Sequence, residues 1–173
     1  MSIIKTLAFV LPIVAMSVPY AQLVASEKET VLDAGFIVQR DCLSLGLYHE
    51  ARSESDLGQR AVGFVMMNRM KSSRYPKSVC GVVKQGKKTA NGNMIKNKCQ
   101  FSFYCDGASD KPKNRKEWLK AQAMAYDIMT TYGIVEDPTG GAVMYHADYV
   151  SPYWKHAYTR TSRIDSHIFY KEK

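Results

Sequence analysis

The chain has 173 residues, of which 46% are hydrophobic and 23% are charged, close to the averages for soluble globular proteins. This length and composition predict one compact domain and exclude a wholly disordered chain, a collagen-like repeat and a multi-pass membrane protein. The formal net charge of +8 favours an anionic partner, such as nucleic acid, an acidic membrane surface or an anionic cell-wall polymer.

The N-terminal segment has the layout of a secretory signal. One lysine precedes an apolar run at 6–18, which is too short to span a bilayer comfortably, and small residues follow, with Ala21 and Ser26 as alternative cleavage sites. We expect residues 1–26 to be a signal peptide, or else an uncleaved N-terminal anchor that is the only membrane contact. Residues 27–173 then form the working domain in the periplasm or outside the cell, which argues against nucleic acid as the partner.

Three helices are predicted from apolar residues that recur at the 3.6-residue period. The first covers residues 36–52. The second begins after the segment Asp56-Leu57-Gly58 and ends before Pro76. The third covers residues 118–132 and is closed by Gly133.

The remaining segments predict short strands and loops. Residues 84–98 (KQGKKTANGNMIKNK) are basic and indicate a mobile loop or a hairpin around Asn91-Gly92, whose charge serves either solvation or contact with an anionic polymer. Residues 100–104 alternate polar and aromatic side chains, which indicates a short strand. Residues 137–170 are punctuated by glycine and proline and are interpreted as loops. The predicted fold class is therefore mainly α (α+β), a single domain with a few short strands and long ordered loops.

The cysteine count is even, which in an exported protein favours disulfides. Cys42, Cys80, Cys99 and Cys105 allow three pairings, and we expect at least one bridge among the last three. Their spacing fits no zinc-finger pattern, and the four histidines do not complete one. We therefore predict no metal and no cofactor.

A pair of carboxylates is the first candidate for chemistry. Glu50 and Glu54 are four positions apart in the chain, so they would share one face if the helix continued through both. Leu47 and Tyr48 place Glu50 beside an apolar wall, which would raise the pKa of its carboxyl group. Paired carboxylates of unequal pKa can divide acid and base roles, although a solvated glutamate face is the simpler interpretation of two glutamates alone.

Two other kinds of site were weighed. A thiol protease or amidase would need a cysteine (Cys42, Cys99 or Cys105) beside His146 or His167, but cysteines of an exported domain are more often paired. No serine-nucleophile elbow and no nucleotide-binding glycine pattern is present.

The C-terminal third is rich in tyrosine, histidine and tryptophan, which could stack against sugar rings. Packing within the domain is the alternative interpretation for any one of these side chains.

Several segments together resemble one family, the SleB-type cell wall hydrolases, named for spore cortex-lytic enzymes. The resembling residues are Glu50-Ala51-Arg52-Ser53-Glu54, Gly58-Gln59-Arg60-Ala61-Val62-Gly63, Asn68-Arg69, Tyr75-Pro76, Cys99-Gln100-Phe101-Ser102, Gly141-Ala142, Tyr145-His146, Pro152, Trp154 and His167-Ile168-Phe169-Tyr170. They run in order from about Leu43 to Tyr170, so the resemblance covers nearly all of the predicted mature chain. Phe103 departs from the family, which often has tryptophan there.

The resemblance implies a lysozyme-like domain that cuts the glycan strands of peptidoglycan, acting as a monomer. It implies that Glu50 is the catalytic residue and that Glu54 supports it. The substrate-binding candidates are Gln100, Ser102, Tyr145, His146, Trp154 and His167. The expected reaction is lytic transglycosylation that leaves 1,6-anhydromuramoyl ends, for wall remodelling or lysis. The alternatives are a muramidase-type hydrolase of the same bond and a non-catalytic peptidoglycan-binding protein.

Overall fold

The structure is a computed structural model that describes the backbone of residues 20–173 and side chains from residue 34 onward. The predicted signal peptide at 1–26 therefore lies outside the residues whose side chains are described. Residues 35–173 form one compact unit. Within the described part, no helix combines the length and apolarity required to cross a membrane.

Four α-helices, five short strands and two 3₁₀ helices make up the described chain. In order they are α1 (Tyr20–Ala51), α2 (Asp56–Lys71), α3 (Val79–Val83), β1 (Gly86–Lys88), β2 (Met94–Cys99), a first 3₁₀ helix (Ser102–Cys105), α4 (Arg115–Thr131), β3 (Met144–Ala147), a second 3₁₀ helix (Tyr153–Ala157), β4 (Thr159–Ile164) and β5 (His167–Lys171). The predicted mainly α class with short strands is confirmed.

The three predicted helices are present, and their ends follow local capping. The side chain of Ser55 accepts a hydrogen bond from the backbone N–H of Gly58 at the start of α2, and Asn114 caps α4 in the same way. Such caps satisfy amide donors that the first helical turn leaves free. The short helix α3 was not predicted, because five residues are too few for a periodic pattern.

The core lies where α1, α2, α3 and α4 meet. Leu43 and Leu47 of α1, Val62 of α2 and Ile128 of α4 are almost fully buried. Helices α2 and α4 approach so closely at Gly63 that a Cβ atom there would collide with the side chain of Ile128. This glycine therefore sets the spacing between the two helices.

Two disulfides brace the outside of this core. Cys42 of α1 pairs with Cys80 of α3, and Cys99 of β2 pairs with Cys105 of the first 3₁₀ helix. The expected bridge among the last three cysteines is thus confirmed as Cys99–Cys105.

The prediction of a strand at residues 100–104 was wrong. These residues lead into the first 3₁₀ helix, and Phe101 and Phe103 are both buried. The Cα atoms of Cys99 and Cys105 lie 6.0 Å apart, whereas six extended residues would span roughly 20 Å. The disulfide therefore requires a folded-back segment here.

The interpretation of residues 137–170 as loops was also wrong. Strands β3, β5 and β4 form an antiparallel sheet in that spatial order. The central strand β5 has no polar and apolar alternation, because His167, Phe169 and Tyr170 are all buried. A strand that is buried on both faces does not alternate between polar and apolar residues, and that alternation is the sequence pattern that predicts a strand.

The predicted hairpin at residues 84–98 is confirmed. Strands β1 and β2 pair in antiparallel orientation, and Gly92 turns between them with a φ of 81°. A positive φ is readily available to glycine, which explains the Asn-Gly pair at this turn.

Candidate active site

Glu50 lies one residue before the end of α1, in a half-buried position. Its atom Oε2 accepts a hydrogen bond from the hydroxyl of Tyr145, with an O···O distance of 3.1 Å. Tyr145 lies on β3, 95 residues further along the chain. The contact therefore joins the end of the first helix to the C-terminal sheet, and it leaves Oε1 as the oxygen free to carry a proton.

Burial raises the pKa of the Glu50 carboxyl group above its ordinary value. The hydrogen bond from Tyr145 and the charges of His49 and Arg69 act in the opposite direction without cancelling the effect. The position at the C-terminal end of α1 adds a further bias, because the free carbonyls there disfavour a nearby negative charge. The raised pKa expected for Glu50 is thus confirmed, and the group holds its proton to higher pH than an exposed glutamate.

Tyr145 is held in place by two residues of the neighbouring strand β5. Its ring centroid lies 5.0 Å from that of His167 in an edge-to-face arrangement and 5.9 Å from that of Phe169. Burial raises the pKa of the Tyr145 hydroxyl well above its usual value, and the nearby Glu50 adds to this effect. The hydroxyl therefore stays protonated and donates its hydrogen to Glu50.

Arg69 of α2 is a buried positive charge close to this pair. Its guanidinium lies against the rings of Phe101 and Tyr75, with centroid distances of 5.1 and 5.4 Å. Nε donates to the carbonyl of Val143 at 2.7 Å, whereas NH1 is buried with no hydrogen-bond partner. A guanidinium remains charged even when buried, so Arg69 favours the carboxylate form of Glu50.

The charge of Arg69 is a feature that the sequence reasoning missed. The residue lies on the apolar face of the second predicted helix and in the Asn-Arg motif, but no role was assigned to it. A basic residue on such a face is the signal that could have identified its role.

A cavity of about 260 Å³ opens beside the end of α1. His49, the neighbour of Glu50 in the chain, stacks on Phe103 with a centroid distance of 4.4 Å, and its Nε2 is hydrogen-bonded to the carbonyl of Asp110 at 3.0 Å. Both rings line the cavity together with Tyr48. Phe103 thus forms part of the cavity wall beside His49, at the position where the family often has tryptophan.

Glu54 does not share a helix face with Glu50, because α1 ends at Ala51. Its carboxylate accepts hydrogen bonds from the side chain and backbone of Ser166, at 2.7 and 3.3 Å. Nδ1 of His167 lies 3.9 Å from Oε2. Glu54 therefore fixes the turn between β4 and β5 and reaches Glu50 only indirectly, through His167 and Tyr145.

A second contact fixes the same turn. Asp165 accepts hydrogen bonds from the backbone and hydroxyl of Ser55, at 2.9 and 2.6 Å. A Cβ atom on Gly58 would collide with the Asp165 carboxylate. The start of α2 and the β4–β5 turn are thus in direct contact, and Gly58 permits it.

The substrate-binding candidates fall into separate groups. Tyr145 and His167 lie on the sheet face that meets Glu50 and Glu54, whereas His146 and Trp154 pack against Tyr170 on the other face. Gln100 and Ser102 are exposed around the start of the first 3₁₀ helix. The structure brings only Tyr145 into contact with Glu50.

No metal or thiol chemistry is indicated by the described residues. All four cysteines are paired in disulfides, which removes the nucleophile that a thiol protease or amidase would need. Within residues 34–173, no three histidine, cysteine or acidic side chains gather as metal ligands would.

Comparison with known proteins points to one family. The family model described as Cell Wall Hydrolase matches residues 53–170. A spore cortex-lytic enzyme of Halalkalibacterium halodurans is 28% identical over 145 residues, which cover 83% of this chain and 38% of that protein. A spore cortex-lytic enzyme of Bacillus cereus is 29% identical over 126 residues, 72% of this chain and 41% of that protein. The chain thus spans about two fifths of the length of these curated relatives.

Solved structures point to the same family. The catalytic domain of the germination-specific lytic transglycosylase SleB from Bacillus anthracis aligns with a TM-score of 0.58 and 27% identity, covering 77% of this chain and 93% of that domain. The catalytic domain of the Bacillus cereus SleB protein aligns with a TM-score of 0.56 and 27% identity, covering 77% and 89%. The resemblance noted in the sequence is confirmed.

Proposed function

We propose that this chain, which belongs to the cell wall hydrolase family, cleaves the glycan strands of peptidoglycan with Glu50 as its catalytic acid and base. The observation that carries the proposal is the half-buried carboxyl group of Glu50, with its raised pKa and the hydrogen bond that it accepts from Tyr145. The match to the family model begins at residue 53, so the role of Glu50 rests on this geometry and on the Glu-Ala-Arg motif.

The first step is general acid catalysis. Protonated Glu50 donates the proton of Oε1 to the glycosidic oxygen that links muramic acid to the next sugar. The bond between that oxygen and the anomeric carbon breaks, the leaving sugar departs with its new hydroxyl group, and positive charge develops on the muramoyl ring. Glu50 is now a carboxylate, which the hydrogen bond from Tyr145 and the charge of Arg69 stabilise.

The second step uses the same side chain as a base. The Glu50 carboxylate takes the proton of the muramoyl 6-hydroxyl while that oxygen attacks the anomeric carbon. The product is a 1,6-anhydromuramoyl end, and Glu50 is protonated again by the proton of the 6-hydroxyl. No separate nucleophile is required, which agrees with a site where one carboxyl group lies near neutral and cationic side chains.

Hydrolysis of the same bond needs a second group that activates water. Glu54 is the nearest carboxylate by sequence, but its oxygens accept hydrogen bonds from Ser166. This contact favours a positioning role for Glu54 and transglycosylation as the outcome. A non-catalytic binding protein would have no need of a glutamate with a raised pKa.

The site of action follows from the substrate. Two disulfides are typical of an oxidising compartment, so the proposed enzyme works outside the cytoplasm, in the periplasm or in the cell wall. The +8 charge of the chain suits an anionic wall.

The decisive experiment is digestion of purified sacculi with the protein and its Glu50→Gln variant. We expect wild type to release muropeptides with anhydro ends, identified by mass, and the variant to lose at least about 10³-fold in rate. Glu136→Gln, an exposed glutamate on a loop, is the matched control and should keep full activity. Activity close to wild type in Glu50→Gln would overturn the proposal, and reducing ends in the wild-type digest would identify hydrolysis.

A further inference from the structure

A second cavity lies away from Glu50, between helix α3 and the β1–β2 hairpin. Its volume is about 510 Å³, which is within the usual range for sites that bind small ligands. The wall combines apolar and cationic side chains, and the members used below are Pro76, Lys84, Lys88, Met94 and Tyr104. No acidic residue lines it.

The charge around this cavity is not balanced by the protein. Residues 84–98 carry five lysines and no acidic residue. The described ion pairs between residues 34 and 173 all lie elsewhere, such as Arg60–Asp127 and Arg163–Asp148. Lys84 and Lys88 are exposed at the cavity itself. The cavity is therefore a positive surface that an anionic ligand would complement.

The wall of the cavity is apolar as well as cationic. Pro76 and Met94 line it beside Lys84 and Lys88. Carboxylates for the lysines and apolar side chains for Pro76 and Met94 are together the chemistry of an acidic peptide.

One short element connects this cavity to the proposed catalytic site. The first 3₁₀ helix presents Tyr104 to the cavity, whereas the preceding residue, Phe103, stacks on His49 next to Glu50. The cavity and the His49 side chain thus contact neighbouring residues of the same 3₁₀ helix.

We propose that the cavity binds the acidic peptide that branches from the muramic acid of the glycan strand, so that the chain acts preferentially on strands that carry peptides. This inference rests on the proposed function and adds a substrate class to it. A phosphate-bearing wall polymer would satisfy the lysines but offers no apolar side chains to Pro76 and Met94, which is why the peptide is favoured.

The test compares two substrates made from the same sacculi, which are first freed of phosphate polymers. One substrate keeps its peptides, and the other is stripped of them by an amidase. We expect the wild-type kcat/KM to be at least 10-fold higher on the peptide-bearing strands. The double variant Lys84→Glu/Lys88→Glu should fall to the level seen on stripped strands, with unchanged activity on the stripped strands themselves.

A matched control keeps the change of net charge the same. Lys116→Glu/Arg160→Glu replaces two exposed basic residues that do not line the cavity, and it should retain the preference. Thermal unfolding of all variants verifies that each is folded.

The outcomes separate this inference from the proposed function. Equal cleavage of both substrates by wild type overturns the peptide site and leaves the proposed function intact, whereas no cleavage of either contradicts the proposed function. If activity rises with added phosphate polymers and is the same on peptide-bearing and stripped strands, the cavity binds a different anion and the inference is wrong.

Discussion

The two faces of the C-terminal sheet are built from similar aromatic residues but serve different purposes. On one face, Tyr145 contacts the carboxyl group of Glu50 and packs against His167. On the other face, His146 stacks on Tyr170 and is hydrogen-bonded to its hydroxyl at 2.9 Å. Tyr145 and His146 are neighbours in the chain, and the alternation of side chains along a strand separates them.

This comparison shows that an aromatic motif does not by itself indicate a binding site. The first face supplies a hydroxyl group to an ionisable carboxyl, whereas the second satisfies its own polar atoms within the sheet. We therefore expect substitutions on the first face to change the reaction and substitutions on the second to change stability. The Glu50→Gln variant described above should have the largest effect of all.

Tyr145→Phe removes only the hydroxyl that donates to Glu50. We expect kcat to fall by roughly 10–100-fold, because the carboxylate formed during the reaction loses a hydrogen bond. Since that bond favours the carboxylate, its loss raises the pKa of Glu50 further, and the basic limb of the pH–rate profile moves to higher pH. Tyr170→Phe is the matched change on the other face and should leave both kcat and the profile close to wild type. An equal loss of kcat in the two variants would contradict the distinction between the faces.

Glu54→Ala removes the acceptor for Ser166 and loosens the β4–β5 turn. We expect an activity loss of up to about 10-fold and a loss of about 2 kcal/mol in the free energy of unfolding, the usual cost of a hydrogen bond to a charged group. Product masses should still show anhydro ends. An activity as low as that of Glu50→Gln, at normal stability, would instead make Glu54 a partner in the chemistry.

His146→Phe tests the second face directly. The side chain is 8% exposed, and its loss leaves the Tyr170 hydroxyl without its partner. We expect a loss of about 1–2 kcal/mol in the free energy of unfolding, measured by chemical denaturation, and a kcat within about threefold of wild type, the scatter expected of a substitution outside the reaction centre. A large fall in kcat/KM at unchanged stability would restore His146 as a substrate-binding residue.

The smallest effect concerns the stability of the Glu50→Gln variant itself. The folded protein holds the pKa of Glu50 above its ordinary value of 4.5, so in wild type the folded state loses stability as pH rises from that value through the raised pKa. The glutamine does not ionise and escapes this loss. The denaturation midpoints of the two proteins should therefore coincide below pH 4.5. At pH 7 the midpoint of the variant should be the higher of the two. A variant that is less stable than wild type at pH 7 would contradict the buried position of the carboxyl group.

The helices and the main candidate residue could be predicted from the sequence. Helix α2 has a broad apolar face, so its pattern needs no knowledge of the rest of the fold, although the helix begins at Asp56 and not after Gly58 as predicted. Glu50 could be found because its Glu-Ala-Arg motif resembles the family, and because it follows Leu47 and Tyr48, which are both buried. The expected rise in its pKa follows from that local setting.

The sheet and the partners of Glu50 could not be predicted in this way. Strand β5 is buried on both faces, so it shows no alternation, and β3 has only four residues. The contact between Glu50 and Tyr145 spans 95 residues and depends on the strand register. The role of Glu54 likewise depends on Ser166, 112 residues away, which no local pattern reveals.

The bond between Cys42 and Cys80 has a consequence for the stability of the segment that carries Glu50. It closes a stretch of 38 residues that includes Glu50, Glu54 and the whole of α2, and a closure of this length contributes about 4 kcal/mol by restricting the unfolded chain. Under reducing conditions this contribution is absent, so the reduced chain is less stable than the oxidised one.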